Sequence, residues 1–145
     1  MAPELAFTLG MLMANVPSLA DNPQVTCLTE NIYYEARAEP LRGLFAVAEV
    51  TNNRVDSKVF KPTTHCGVIY QKYQFSWTAH KYPIREPKMW IRSKAVAMVS
   101  YHFGNITETV PDALFFHSGK PLAYHSRLDF IEKIGGHRFY SLKGK

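Results

Sequence analysis

Apolar residues recur at helical spacing along three stretches of the chain. Asn22-Pro23 reads as an N-cap followed by proline in the first helical position. From there Val25, Leu28, Ile32 and Ala36 define one stripe, and the predicted helix stops by about Glu39, because Pro40 disfavours helix at the residue before it. At about 100° per residue, Glu35 falls on the flank of that stripe and Glu30 on the opposite, wet face. A second helix is expected over about 41–56. Leu41, Leu44, Phe45, Ala48 and Val55 form one side of it, and Val47 and Val50 make much of the rest apolar, which places it centrally in the core. A third is expected from about Lys88 to Phe103, with Ile91, Ala95, Met98 and His102 in register and Gly104-Asn105 as its stop.

Residues 57–87 carry turn formers, aromatics and three prolines and read mostly as loop. Ala113–His117 and His137–Tyr140 have strand composition and can pair, with Lys133–Gly136 as the turn before the last strand. The expected class is α+β, a helical body with a small antiparallel β element. No repeat or linker divides the chain, so residues 1–145 read as one domain, a core of 23–145 preceded by an extension of 1–22. The apolar run Leu5–Ala14 is too short to span a membrane. Ser18-Leu19-Ala20 looks like a small-residue cleavage site, but the only charge ahead of the run is Glu4, where a secretory signal carries basic residues. The extension is therefore read as a packed helix.

Composition changes this picture little. Seventeen Lys and Arg against 12 Asp and Glu give a net charge of +5, which favours a polyanionic partner such as nucleic acid or a cell-envelope polymer. No run of five basic residues strengthens the nucleic-acid reading. Cys27 and Cys66 are the only possible pair. A bridge between them would close a loop of about 40 residues, worth about 4 kcal/mol, but two free thiols suit the sequence equally well. The histidines at 65, 80, 102 and 125 show no His-x-x-x-His spacing, which disfavours zinc. His80-Lys81 and His125 read as solvated loop residues.

Glu35 is the candidate for chemistry. A carboxyl at a helix end, held against apolar groups beside a groove, has its pKa raised and becomes a proton donor near neutral pH. The plainer reading is a surface carboxylate paired with Arg37 or Arg42. Tyr33, Tyr34, Phe75, Trp77 and Trp90 offer faces on which sugars stack, and Gln74, Ser76 and Asn53 offer short polar partners. Taken singly, each aromatic also suits a core.

Several segments together carry a resemblance. They are Cys27-Leu28, Asn31–Pro40, Gly43, Ala46–Val50, Asn53-Arg54-Val55, Cys66–Tyr70, Gln74–Trp77, Ala113–His117 and Ile134–Tyr140. In unbroken order over about residues 26–141, they resemble the SleB-type cell wall hydrolases, the spore cortex-lytic enzymes and their bacterial and phage relatives. Ala38 stands where that pattern usually has glycine, and Phe116 where tyrosine is common.

The resemblance implies a lysozyme-like fold and cleavage of the MurNAc–GlcNAc strand of peptidoglycan by a lytic transglycosylase, without cofactor or metal. Glu35 would be catalytic, and Tyr34, Asn53, Gln74, Phe75, Ser76, Trp77 and His117 would contact substrate. His117 and His137 fall in motif segments, where each would bond substrate, hold the groove wall or be buried against backbone. The resemblance also implies a Cys27–Cys66 disulfide. A hydrolytic muramidase would need a second carboxylate, for which Glu39, Glu49 and Asp56 are nearest in sequence. Glu39 is expected to cap or pair with the turn. The implied setting is the bacterial wall, reached by a monomer without nucleic acid or stable membrane insertion, in the periplasm or by release of a phage endolysin from the host cytoplasm at lysis. A zinc-dependent amidase and a non-enzymatic basic module binding glycan or nucleic acid are the alternatives.

Overall fold

The stripe of Val25, Leu28, Ile32 and Ala36 is fully buried on α3 (Pro23–Ala36) in the computed structural model, which describes residues 1–72, 74–119 and 127–144. The Asn22 side chain accepts the Gln24 N–H at 2.8 Å and caps this helix. It ends three residues before Glu39, and residues 37–39 turn the chain into Pro40. After that proline, α4 (Leu41–Ser57) begins. Every residue from Gly43 to Asn52 on α4 is buried, so it is the central helix that its apolar sequence predicts.

The other long helix, α6 (Pro87–Phe103), departs from expectation. Ala95 and Met98 are buried, but Ile91 is 50% exposed, and His102 is only half-buried, its Nε2 3.0 Å from the Leu19 carbonyl. From Ala95 to Ser100 the helix is buried all round, because α3, α4 and the N-terminal α1 (Pro3–Met13) all pack on it. A stripe assumes one covered face; here three neighbours cover it. Contact with α1 is close. A Cβ at Gly10 would collide with the Ala95 carbonyl, so only glycine allows this approach. A short α2 (Pro17–Ala20) leads from α1 to the Asn22 cap.

The segment read as loop contains two short elements, α5 (His65–Ile69) and a single 3-10 turn over Ser76–Thr78. Cys66 on α5 is bonded to Cys27 on α3, and its N–H donates to Gln24 Oε1 at 2.8 Å. Glu30 does not sit on a wet face. Its side chain is 14% exposed, because Tyr70 Oη and Lys81 Nζ both donate to it at 2.8 Å.

The sheet has three antiparallel strands in the order β1-β3-β2: β1 (Phe115–Ser118), β2 (Leu128–Ile134) and β3 (His137–Leu142). The middle one in sequence, β2, is not expected from the sequence pattern, and Lys133 and Ile134 belong to it rather than to the turn. A register shift between Phe130 and Glu132 breaks its alternation and leaves Phe130 54% exposed, so a period-2 search misses it. The tight turn is Gly135-Gly136 alone. His125 lies outside the described residues.

Candidate active site

Glu35 occupies the last turn of α3, one residue before the buried Ala36. Its side chain is half-buried in the wall of a cleft of about 390 Å³, lined also by Tyr34, Arg37, Ala38, Glu39 and Glu86. Burial pushes its carboxyl up to about 7, with no charge contributing. Neither cation that a surface pairing would need reaches it. Arg37 pairs with Glu86, and Arg42 with Glu132. Among the described residues its carboxyl makes no hydrogen bond, which leaves it a solitary acid, about half protonated at neutral pH.

Two other elements grip the turn that follows it. From α6, Arg92 Nη1 donates to the Arg37 carbonyl at 3.2 Å and to the Glu39 carbonyl at 2.9 Å. A cation on carbonyls past a helix C-terminus also complements the helix dipole. From the sheet, the Gly136 N–H donates to Glu39 Oε1 at 2.8 Å, and His137 Nδ1 lies 3.0 Å from the same oxygen, off good hydrogen-bond geometry. Burial lowers the His137 pKa against the opposing pull of Glu39 and of the Glu35 backbone. The double glycine makes this closure possible. Gly135 has φ 55°, and a Cβ there would collide with the Glu39 carboxylate, while one at Gly136 would come within 2.9 Å of it.

The candidate second carboxylates are thus otherwise engaged. Glu39 is not bound to its own turn but reaches across to the Gly135-Gly136 hairpin, where it accepts the Gly136 N–H. Glu49 is a correction, because it is 1% exposed inside the core. There it accepts the Thr107 hydroxyl and the backbone N–H groups of Thr109 and Val110, so it anchors the segment leading to β1. Asp56 lines a different cleft of about 270 Å³ with Asn53, Ser57, Asp112 and Leu114.

The substrate-contact candidates divide. Tyr34 lines the Glu35 cleft and donates its hydroxyl to the Tyr82 carbonyl. Trp77 is a correction. It is 5% exposed, stacked on Tyr34 at 4.8 Å, and donates Nε1–H to Asn31 Oδ1 at 3.1 Å, so it supports the platform from beneath. Asn53 is a second correction. Its Nδ2 donates to the Ala113 carbonyl at 2.9 Å and its Oδ1 accepts from Asn105, which fixes it in the scaffold away from Glu35. Gln74 Oε1 is taken by Arg54 at 2.8 Å. Phe75 and the exposed Ser76 line a separate, mainly apolar concavity of about 510 Å³. Phe75 stacks on Phe116, whose ring meets His137 at 5.3 Å, so this concavity is tied to the Glu35 turn through side chains. His117 is half-buried on β1 opposite Arg138. Tyr33 and Trp90 pack edge to face at 5.6 Å, and His80 is exposed.

Sequence reasoning missed Arg92 and the pairing of His137 with Glu39, for which the double glycine before His137 was the available signal. It also missed Arg54. This side chain is buried among the rings of Phe60, Phe75 and Phe115, donates to the Leu114 carbonyl at 2.7 Å, and is pushed down to about 10 by burial. Among the described residues, no three His, Cys, Asp or Glu side chains cluster as a metal site requires.

Comparison with known proteins places the chain in a family. The spore cortex-lytic enzyme of Bacillus subtilis (strain 168) is 30% identical over 135 residues, covering 87% of this chain and 40% of its own length. Position 35 lies inside so long a match wherever it begins. That of Oceanobacillus iheyensis is 38% identical over 72 residues, 50% of this chain and 26% of its own. The chain therefore spans well under half the length of these curated relatives. Among solved structures, the catalytic domain of the Bacillus cereus SleB protein is similar at 28% identity and a TM-score of 0.59, over 81% of this chain and 89% of that one. The catalytic domain of the germination-specific lytic transglycosylase SleB from Bacillus anthracis is similar at 28% identity and 0.61, over 81% and 93%. The fold is accordingly lysozyme-like and α+β. The family described as Cell Wall Hydrolase is matched by residues 38–140, beginning just after Glu35. The chain belongs to this cell wall hydrolase family.

Proposed function

We propose that the chain cleaves the MurNAc–GlcNAc bond of peptidoglycan as a lytic transglycosylase, with Glu35 as the sole acid and base. Glu35 gives its proton to the glycosidic oxygen as the bond from MurNAc C1 to that oxygen breaks, and GlcNAc leaves with a free hydroxyl. The resulting carboxylate takes the proton of the MurNAc 6-hydroxyl as O6 bonds to C1, closing a 1,6-anhydro ring. Glu35 ends as it began, and no water is consumed.

The observation that carries this reading is a single carboxyl, held at about 7 by burial alone, in an open cleft whose other two carboxylates are already bound, Glu39 to the hairpin at Gly136 and Glu86 to Arg37. A nucleophile supplied by the substrate removes the need for a second free carboxylate. Likeness to the Bacillus anthracis lytic transglycosylase supports the same chemistry. The hydrolytic muramidase remains the second reading, because Glu39 does line the same cleft.

Three glutamates in that wall disfavour a polyphosphate, which argues for glycan over nucleic acid as partner of a monomeric enzyme. The disulfide suits an oxidising compartment outside the cytoplasm, reached by periplasmic export or by phage-driven lysis. No described helix is long and apolar enough to cross a membrane.

Mass spectrometry of digested peptidoglycan tests the mechanism. Anhydro ends are expected from the native chain, and Glu35→Gln is expected to lower their yield by about two to four orders of magnitude with folding intact. Reducing ends would transfer the reading to the muramidase, and undiminished lysis by Glu35→Gln would end both.

A further inference from the structure

A second cleft, of about 260 Å³, opens beside the first and shares Tyr34, Arg37 and Glu86 with it. Tyr33, Tyr34 and Tyr82 line it, together with two arginines, Arg37 and Arg85. One carboxylate, Glu86, stands against these two cations and is already paired with Arg37. Among the described residues Arg85 has no carboxylate partner, so the cleft carries one uncompensated positive charge.

The rim bearing Arg85 is held in place. Tyr34 donates its hydroxyl to the Tyr82 carbonyl, and the Glu86 N–H donates to Tyr33 Oη at 3.3 Å. Arg85 thus lies between two anchors supplied by the two tyrosines that precede Glu35. A neutral sugar has no use for an unpaired guanidinium one cleft away from the acid. A substituent carrying a carboxylate does, because arginine binds carboxylate in two parallel hydrogen bonds and selects it over neutral groups.

We infer that the Tyr33–Tyr82–Arg85 cleft is a subsite for a carboxylate of the peptide stem borne by muramic acid, and that Arg85 sets a preference for stem-bearing strands. This rests on the peptidoglycan reading above. The stem leaves the sugar at the glycan being cut, and the shared wall of Tyr34 and Arg37 gives it a continuous path from the Glu35 cleft. Arg85 binds the carboxylate directly, while Arg37, neutralised by Glu86, only shapes the wall.

The test uses three soluble glycan substrates with the full chain: strands with native stems, strands whose stem carboxylates have been converted to amides, and strands stripped of stems by an amidase, whose freed lactyl carboxylates have then been amidated. For the native chain, kcat/KM is expected to be about tenfold higher on native stems than on the other two. Arg85→Ala is expected to bring that ratio close to one, and Arg85→Glu to invert it. A native chain that cuts amidated strands as well as native ones, or an Arg85→Ala ratio equal to that of the native chain, overturns the subsite while the glycosidase reading stands. A native chain that releases no anhydro or reducing ends from any of the three overturns both.

Discussion

Glu39 Oε1 and His137 Nδ1 face each other 3.0 Å apart, four residues beyond the candidate acid in one direction and at the start of β3 in the other. The contact joins the helical body to the sheet at the turn that sets where Glu35 points. Gly135 and Gly136 leave the space that lets the hairpin close over this carboxylate. Gly135→Ala is therefore expected to lower stability by about 1–3 kcal/mol, from the strained φ and the collision with Glu39. Its kcat is expected to fall about tenfold to a hundredfold with little change in KM. Thermal unfolding and steady-state turnover check it; a variant that melts and turns over like the native chain would show that the closure positions nothing.

The raised pKa of Glu35 has a cost in stability whose sign is fixed. The folded state keeps the proton up to about 7, whereas the unfolded chain releases it near the ordinary 4.5. Stability linked to this group is thus complete below pH 4.5, declines as pH rises to about 7, and is absent above it. Glu35→Gln, which carries no charge at any pH, is expected to be more stable than the native chain above pH 7 by roughly 2–4 kcal/mol, and similar to it at pH 4. Denaturant titrations at the two pH values decide this.

Activity follows the same group. With the proton donor titrating at about 7, kcat/KM is expected to fall about tenfold per unit at pH values well above it. A rate that stays flat from pH 6 to 9 on soluble strands would remove Glu35 as the acid.

The Cys27–Cys66 bridge closes a span of 39 residues and pins α5 to α3. Replacing both cysteines by alanine is expected to lower stability by about 4 kcal/mol, mostly through the freedom regained by the unfolded chain. Equilibrium unfolding in urea reads this directly, and an unchanged midpoint would contradict it.

Trp77 distinguishes a support from a contact surface. Trp77→Phe keeps a ring under Tyr34 but leaves Asn31 Oδ1 without its donor, next to an Asn31 Nδ2 that is already unpaired among the described residues. A loss of about 1–3 kcal/mol in stability is expected, with KM nearly unchanged. A large rise in KM without a stability change would instead mean that the indole touches glycan.

Much of this arrangement is legible from residues alone, and the exceptions have physical reasons. Asn22-Pro23 and Pro40 bracket α3 because capping and proline act locally, so the flank position of Glu35 follows from periodicity. Trp77 and Asn53 mislead because aromatic and amide side chains suit a core and a substrate equally, and only the partners Asn31, Ala113 and Asn105 decide between them. The β2 strand is hidden by its bulge. Glu39 and His137 are 98 positions apart in sequence, too far for any local pattern to pair them.

Arg92 and Ala95 lie within one turn of the same helix. The first holds the carbonyls behind Glu35, and the second is the surface into which Gly10 fits. The N-terminal helix is consequently linked to the carbonyls behind the acid through a single turn of α6. A bulkier side chain at position 10 would press on that turn of α6 and be felt through Arg92, as a displaced proton donor rather than as a local fault.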